Sequence, residues 1–385
     1  MHFSGLSAAD LDKAGAHWTA REIAQQPQVW RTLAALAEGA DTAPRRFLAP
    51  LLARPELRIV LTGAGSSAFV GECLAPALSR ALQRPVDAVS TTDLVAGPRN
   101  FLLAGTPTLL VSFARSGNSP ESVAAVALAQ QEVRDCHHLV ITCNAQGALR
   151  RIAGAMDNAH VLVLPEETDD RSFAMTSSFS SMLVAAALAF GALPGQAIAA
   201  AAEAAQTVLD TALPLVRDLV QAGYERVVYL GANEMKGLAR EGALKLLELT
   251  DGRVVSLADT PLGFRHGPKT IVNPRALVIV FESSDAYSRQ YDRDLLAELR
   301  MDAVAGRVLA VGEAAYAGTA GTDALRIGAT GGNAIAACLS MLVFAQFFAL
   351  MRSLALGITP DNPNASGIVS RVVKGVSIYP LEPGR

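Results

Sequence analysis

The sequence predicts an α/β protein of two tandem modules behind an N-terminal helical arm. Each module is a mostly parallel sheet flanked by helices, a flavodoxin-like three-layer sandwich. Three observations predict this. Short apolar runs alternate with helical stretches of about 10–15 residues. Three of those runs recur at one shared offset of about 168 residues. LRIVLTGAG near 57–65 returns as ERVVYLGAN, TLLVSFARSG near 108–117 as ALVIVFESSD, and HHLVITCN near 137–144 as GRVLAVGE. The chain of 385 residues is also 51% hydrophobic, enough for two medium cores.

Residues 1–48 read as the arm. Ser7 followed by Asp10 has the form of an N-cap with an acid at N3, and WRTLAALAEGA continues a 3.6-residue apolar period. His17 and Trp18 read as packing residues. Residues 49–205 form the first module, with strands in LRIVLTGAG, PVDAVSTTDL, TPTLLVSF, CHHLVITCN and HVLVLPEE. It closes on an Ala-rich helix over 177–204. Residues 206–385 form the second module, which closes on an apolar helix over 333–356 and a tail that turns strand-like after its Pro/Asn-rich part. The run 334–351 reaches the lower length limit of a membrane span, about 18 residues. Asn333, Ser340, Gln346 and Arg352 lie in or beside it. It is better explained as a helix buried on most sides at a domain or subunit interface. Two such helices, in a chain with 5% aromatics, suggest a buried subunit interface.

The formal net charge of −3 gives no basic field for nucleic acid or an acidic membrane. A small molecule or another copy of the chain is the expected partner. Cys73, Cys136, Cys143 and Cys338 include no CxxC pair. His137 and His138 beside Cys136 lack a second ligand pair, so no metal is expected. Free thiols and an N-terminus without a basic region and apolar core point to the cytoplasm.

Ligands of open parallel sheets sit beyond the carboxyl ends of the strands. In the first module those places hold Gly63-Ala64-Gly65-Ser66-Ser67, Arg115-Ser116-Gly117-Asn118-Ser119-Pro120-Glu121-Ser122 and Thr176-Ser177-Ser178. One such loop is ordinary N-capping. Three in one module suit a phosphate, met by hydroxyls, backbone N–H groups and helix dipoles. No lysine stands in them, so there is no Walker cradle. Gly63-x-Gly65-x-x-Ala68 is half of a dinucleotide fingerprint, but Asp93 comes too late for the ribose acid, so no NAD and no other cofactor is expected. The second module replaces these loops by Gly231-Ala232-Asn233-Glu234 and Glu282-Ser283-Ser284-Asp285. It carries instead Glu241, Lys245 and Glu248 on one helical stripe among Leu244, Leu246, Leu247 and Leu249, then His266 in FRHGPK. Alone, that helix reads as a solvated salt-bridge stripe. The repeat places it at a strand's carboxyl end in the module without phosphate loops, and so favours an acid–base role.

GAGSS, ARSGNSPES, the TSS helix start, EGALKLLE and FRHGPK, in that order, resemble the sugar isomerase (SIS) domain family over residues 50–385. Tandem SIS domains of this kind form the isomerase half of glucosamine-6-phosphate synthase and the AgaS-type sugar-phosphate isomerases and deaminases. ARSGNSPESVAAV, DRSFAMTSS and DTPLGFRHGPK resemble the AgaS type in detail. The resemblance implies that Ser66, Ser67, Ser116, Ser119 and Thr176 bind the phosphate of a hexose 6-phosphate, with Gly65, Gly117 and Asn118 also among the substrate-binding residues. It implies Glu248 as the base moving a proton between C1 and C2. His266 would be the ring-opening histidine, often supplied by a neighbouring subunit, and Glu241 and Lys245 would line the same pocket. Lys374 falls where the synthase has its C-terminal lysine, after a longer tail. Ala114 and Met175 depart from phosphate-site serines. The expected reaction converts a 2-amino-2-deoxyhexose 6-phosphate, galactosamine 6-phosphate first, to a ketose 6-phosphate and ammonia through an enolamine or enediol. The resemblance also implies a homodimer or higher homo-oligomer whose active sites are shared between subunits. A plain aldose–ketose isomerase, a glucosamine-6-phosphate deaminase and a non-catalytic sugar-phosphate sensor remain open. A glutamine-dependent synthase is not expected, for want of a glutaminase part with a leading cysteine. Burial beside leucines is expected to raise the Glu248 pKa.

Overall fold

Thr108–Ala114 is buried at every position, the mark of a strand covered on both faces. A computed structural model describes residues 2–3, 5–39, 42–315, 323–373 and 375–382. It contains two five-stranded sheets. The first comprises β1 (Arg58–Thr62), β2 (Val86–Ala88), β3 (Thr108–Ala114), β4 (Cys136–Thr142) and β5 (Ala159–Val163) in the order β2-β1-β3-β4-β5. The second comprises β6 (Arg226–Gly231), β7 (Val255–Asp259), β8 (Ala276–Phe281), β9 (Arg307–Gly312) and β10 (Ala324–Arg326) in the order β7-β6-β8-β9-β10. Every pairing in both sheets is parallel, and the two orders are the same. The predicted repeat is therefore a repeat of topology.

It extends to the backbone. Gly65 has φ 54 and ψ −128, and Asn233, about 168 positions on, has φ 52 and ψ −122. Only glycine adopts that conformation at no steric cost. Asn233→Gly is expected to raise stability by about 1 kcal/mol through released strain. Urea unfolding checks it, and a loss of stability would contradict it.

The principal helices are α1 (His17–Leu36), α2 (Ser66–Leu82), α3 (Pro120–Glu132), α4 (Ser177–Ala189), α5 (Gly195–Thr211), α6 (Glu234–Leu249), α7 (Ala286–Asp302) and α8 (Ala334–Ala355). The chain forms two compact units, neither continuous in sequence. One comprises Met1–Ala34, Asp170–Ser177 and Leu193–Ala365, and so holds the second sheet. The other comprises Ala35–Asp169, Ser178–Ala192 and Ser366–Arg385, and holds the first.

In the second-sheet unit, α6 covers one face of the sheet. A Cβ on Gly242 would stand 3.2 Å from the Tyr229 ring of β6, so glycine sets how closely this helix approaches. Val228, Leu230, Val278 and Val280 point to the other face, where they pack with Leu295, Leu296 and Leu299 of α7 and with Phe264. α8 packs on α5 and α6. Its Ser340 hydroxyl donates to the Ala201 carbonyl at 3.2 Å, and Gln346 accepts from Gln26 at 2.7 Å. The apolar run that could span a membrane by length is 89% buried inside the protein. The chain itself covers this helix, so its apolarity gives no argument for a subunit interface.

Three expectations change. The helix over 177–204 is two helices, because Gly191 and Pro194 break it between α4 and α5. The arm is helical but not accessory, since Ala20, Ile23 and Trp30 of α1 are fully buried. The described part of the tail beyond Arg371 forms no strand.

Candidate active site

In the first-sheet unit, Gly65–Ser67 follow β1 and Ser116–Ser119 follow β3. These strands are neighbours, with Thr62 beside Ser112 in register, so the two Ser-rich turns leave adjacent strand ends. Ser66 and Ser67 start α2 and are buried. The second loop is braced from several sides. The Ser116 hydroxyl accepts from the Asn118 N–H at 3.3 Å, and its carbonyl accepts from the Asn144 amide at 2.9 Å. The Asn118 side chain accepts from the Ala148 N–H at 2.9 Å. The Ser119 hydroxyl donates to Ser122 at 2.6 Å and does not cap α3. The helix start thus keeps N–H groups unspent by its N-cap side chain.

These loops lack lysine, but Arg115 brings a positive charge to them. This residue is only 6% exposed, and its guanidinium donates to the Arg371 carbonyl at 2.9 Å. The Arg371 side chain lies 3.3 Å from Asp169. The signal was present, because Arg115 belongs to ARSGNSPES itself. Thr176 belongs to the other unit. Its N–H donates to Asp170 Oδ2 at 2.7 Å, its hydroxyl faces Asp170 Oδ1 at 3.4 Å, and its carbonyl accepts from Gln346 at 3.4 Å.

In the second-sheet unit, α6 carries the charged stripe, but not as a solvated one. Glu241 and Lys245 have no exposure, while the Glu248 side chain keeps 25%. Lys245 Nζ lies 2.5 Å from Glu248 Oε2 and 3.5 Å from Glu241 Oε1. The ammonium joins both carboxylates, and only Glu248 reaches solvent. The group touching Glu248 is thus a cation, where the sequence suggested leucine side chains.

The stripe's position also differs from expectation. α6 starts at the carboxyl end of β6 and runs back along the sheet. Glu248, one residue before the helix ends, lies near the start of β7, where Val255 pairs with Arg226. It is at the amino-terminal ends of the strands.

His266 is exposed in the segment between β7 and β8. Asp259-Thr260-Pro261 opens a short helix there, with the Thr260 hydroxyl accepting from the Gly263 N–H at 3.1 Å. Arg265 pairs with Glu298 at 2.8 Å and Lys269 with Asp302 at 2.5 Å, which fastens the segment to α7. The hydrogen bonds that Lys269 donates to Asp302 and Glu298 raise its pKa. Phe264 packs on the Val228/Leu230 face, whereas α6 packs on the Tyr229 face. Glu248 and His266 of one chain therefore stand on opposite faces of the second sheet. No ion pair or hydrogen bond joins them. Lys374 lies outside the described residues.

Among the described residues no group of three His, Cys, Asp or Glu side chains is arranged to hold a metal. Cys136 Sγ lies 3.4 Å from His138 Nε2. Burial pushes that thiol up to about 12 and the imidazole down to about 4, so both are neutral core groups.

Residues 51–192 match the SIS domain family. The D-galactosamine-6-phosphate deaminase AgaS of Shewanella sp. (strain ANA-3) is 45% identical over 379 residues, covering 98% of this chain and 95% of the relative. This chain belongs to the AgaS family of SIS-domain proteins. The AgaS of the same description from Escherichia coli is 46% identical over 369 residues, 95% of this chain and 96% of that protein. The crystal structure of tagatose-6-phosphate ketose/aldose isomerase from Escherichia coli superimposes with a TM-score of 0.88 at 43% identity, covering 95% of this chain and 97% of that one. These relatives of nearly full length are thus described as sugar-phosphate enzymes, two as deaminases and one as an isomerase.

Proposed function

We propose that this protein converts a 2-amino-2-deoxyhexose 6-phosphate, galactosamine 6-phosphate first, to the ketose 6-phosphate and ammonia. The observation that carries the reading is the Glu241–Lys245–Glu248 triad. It presents one solvent-reaching carboxylate held by a buried ammonium, in a chain whose other module has paired Ser-rich turns. The names of the AgaS relatives support the substrate class.

Ser66, Ser67, Ser116 and Ser119 and the N–H groups at the starts of α2 and α3 bind the phosphate. Gly65, Gly117 and Asn118 shape those turns. Arg115 supplies the positive charge that hydroxyls lack. His266 moves the proton that opens the sugar ring. Glu248 takes the C2 proton to give the enolamine and returns a proton to C1. Water adds to the resulting C2 imine and ammonia leaves, so sugar plus water balances ketose plus ammonia. Lys245 fixes Glu248 and Glu241 fixes Lys245. The four cysteines are buried and none is in a disulfide, which supports a reducing, cytoplasmic setting.

The opposite-face placement of Glu248 and His266 supports a site that takes its histidine from a second copy of the chain. Mixing Glu248→Gln and His266→Ala proteins is expected to restore about one quarter of wild-type activity after random exchange in a two-fold dimer. Activity no higher than that of either parent would refute the sharing. The isomerase description of the Escherichia coli structure favours one second reading, a plain aldose–ketose isomerase. Assaying ammonia and ketose 6-phosphate together separates the two, since isomerisation releases no ammonia.

A further inference from the structure

His266 is exposed, yet the chain on both sides of it is tied down. On its amino side the Thr260 carbonyl accepts from the Phe264 N–H at 2.9 Å, and the Gly263 carbonyl accepts from the His266 N–H at 2.9 Å. Phe264 is fully buried in one cluster with Leu295, Leu296 and Leu299 of α7. On the carboxyl side the Gly267 carbonyl accepts from the Thr270 N–H at 3.0 Å. Gly267, with φ 127, stands between these two turns. The backbone is sterically least limited at the residue right after the histidine.

Side chains close that gap. Arg265, the residue before His266, donates from Nε to Glu298 Oε2 at 2.8 Å. Lys269, three residues after His266, makes a short contact with Glu298 Oε1 and lies 2.5 Å from Asp302 Oδ2. Glu298 thus spends one carboxylate oxygen on each side of the histidine. Glu298 and Asp302 are i and i+4 on α7, so they share one stripe of that helix. Leu295 and Leu299 anchor the same helix in the core.

The four side chains of this clasp keep between 28% and 35% exposure. Taken singly, ion pairs so open to water add little to folding. What the clasp fixes is direction. An imidazole that serves a bound sugar has to be held in one geometry, and a misplacement of about 1 Å can cost about a hundredfold in rate.

We propose that Glu298 is a positioning residue for His266, holding Arg265 and Lys269 on either side of the imidazole while Asp302 steadies Lys269. The inference rests on the ring-opening role proposed for His266. Both cations already meet carboxylates, so they serve the clasp rather than an anionic ligand.

The test compares wild type, Glu298→Ala and Glu298→Gln, each with and without His266→Ala, in steady-state kinetics on galactosamine 6-phosphate. Glu298→Ala is expected to lower kcat by about ten- to a hundredfold with KM nearly unchanged. Glu298→Gln keeps an acceptor oxygen for Arg265 and loses the charge that holds Lys269, so its kcat should fall between the two. Neither should lower kcat further once His266 is gone, because residues that act as one unit are not additive. A Glu298→Ala kcat within about twofold of wild type, or the same fractional loss with His266 absent, would overturn the proposal. An unfolded Glu298→Ala protein would overturn it too, since the ion pairs would then be holding the fold.

A second readout needs no turnover. In protein labelled at histidine, the ring resonance of His266 is identified by its loss in His266→Ala. In Glu298→Ala it is expected to move toward the position of free histidine. A resonance that stays at its wild-type position would overturn the positioning. Wild-type kcat in His266→Ala would instead remove the ring-opening role, and the resonance would still decide whether Glu298 holds the ring.

Discussion

Glu248→Gln is expected to lower kcat for ammonia release from galactosamine 6-phosphate by about 10²–10⁴-fold, the usual contribution of a positioned acid–base group. The substitution is close to isosteric. Glu248 is partly exposed, so the fold should survive, and Lys245 keeps Glu241 as a partner. The turns proposed to bind the phosphate belong to the other module, so KM should change far less than kcat. A kcat within a few fold of wild type would remove Glu248 from the proton transfer. Tight sugar-phosphate binding by a wild-type protein with no turnover would support the sensor.

Lys245→Met is expected to cost about 3–5 kcal/mol, because it strips the cation from a fully buried carboxylate. The helix pattern alone would have suggested about 0.3–0.5 kcal/mol for an exposed i,i+4 pair. The difference arises because neither Glu241 nor Lys245 is exposed. Adding Glu241→Gln to Lys245→Met should recover much of the loss, since the residues are coupled. Urea unfolding measures both. A Lys245→Met loss below about 1 kcal/mol would return the stripe to the solvated class.

The sheets were legible because their strands are buried on both faces and so read as apolar runs, and because the repeat doubles each signal. Ser66, Ser67, Ser116 and Ser119 were legible as residues at strand ends. The burial of Lys245 was not, since an i, i+4, i+7 charge pattern is the same on a wet face and on a buried one. Nor was the separation of Glu248 from His266. It follows from β7 and β8 flanking β6 on opposite sides, which sends the two crossovers over opposite faces. Periodicity showed that α1 has an apolar face but not what covers it. Glu22 therefore stood in a stretch with no motif, and its partners Arg171 and Ser172 lie 149 and 150 positions away by number, within reach only in the fold.

The most direct test incubates the wild-type protein with galactosamine 6-phosphate and measures ammonia and tagatose 6-phosphate in the same samples. The account predicts both products in equal amounts, with neither formed above background by Glu248→Gln. Ketose formation without ammonia, or binding without either product, would contradict it.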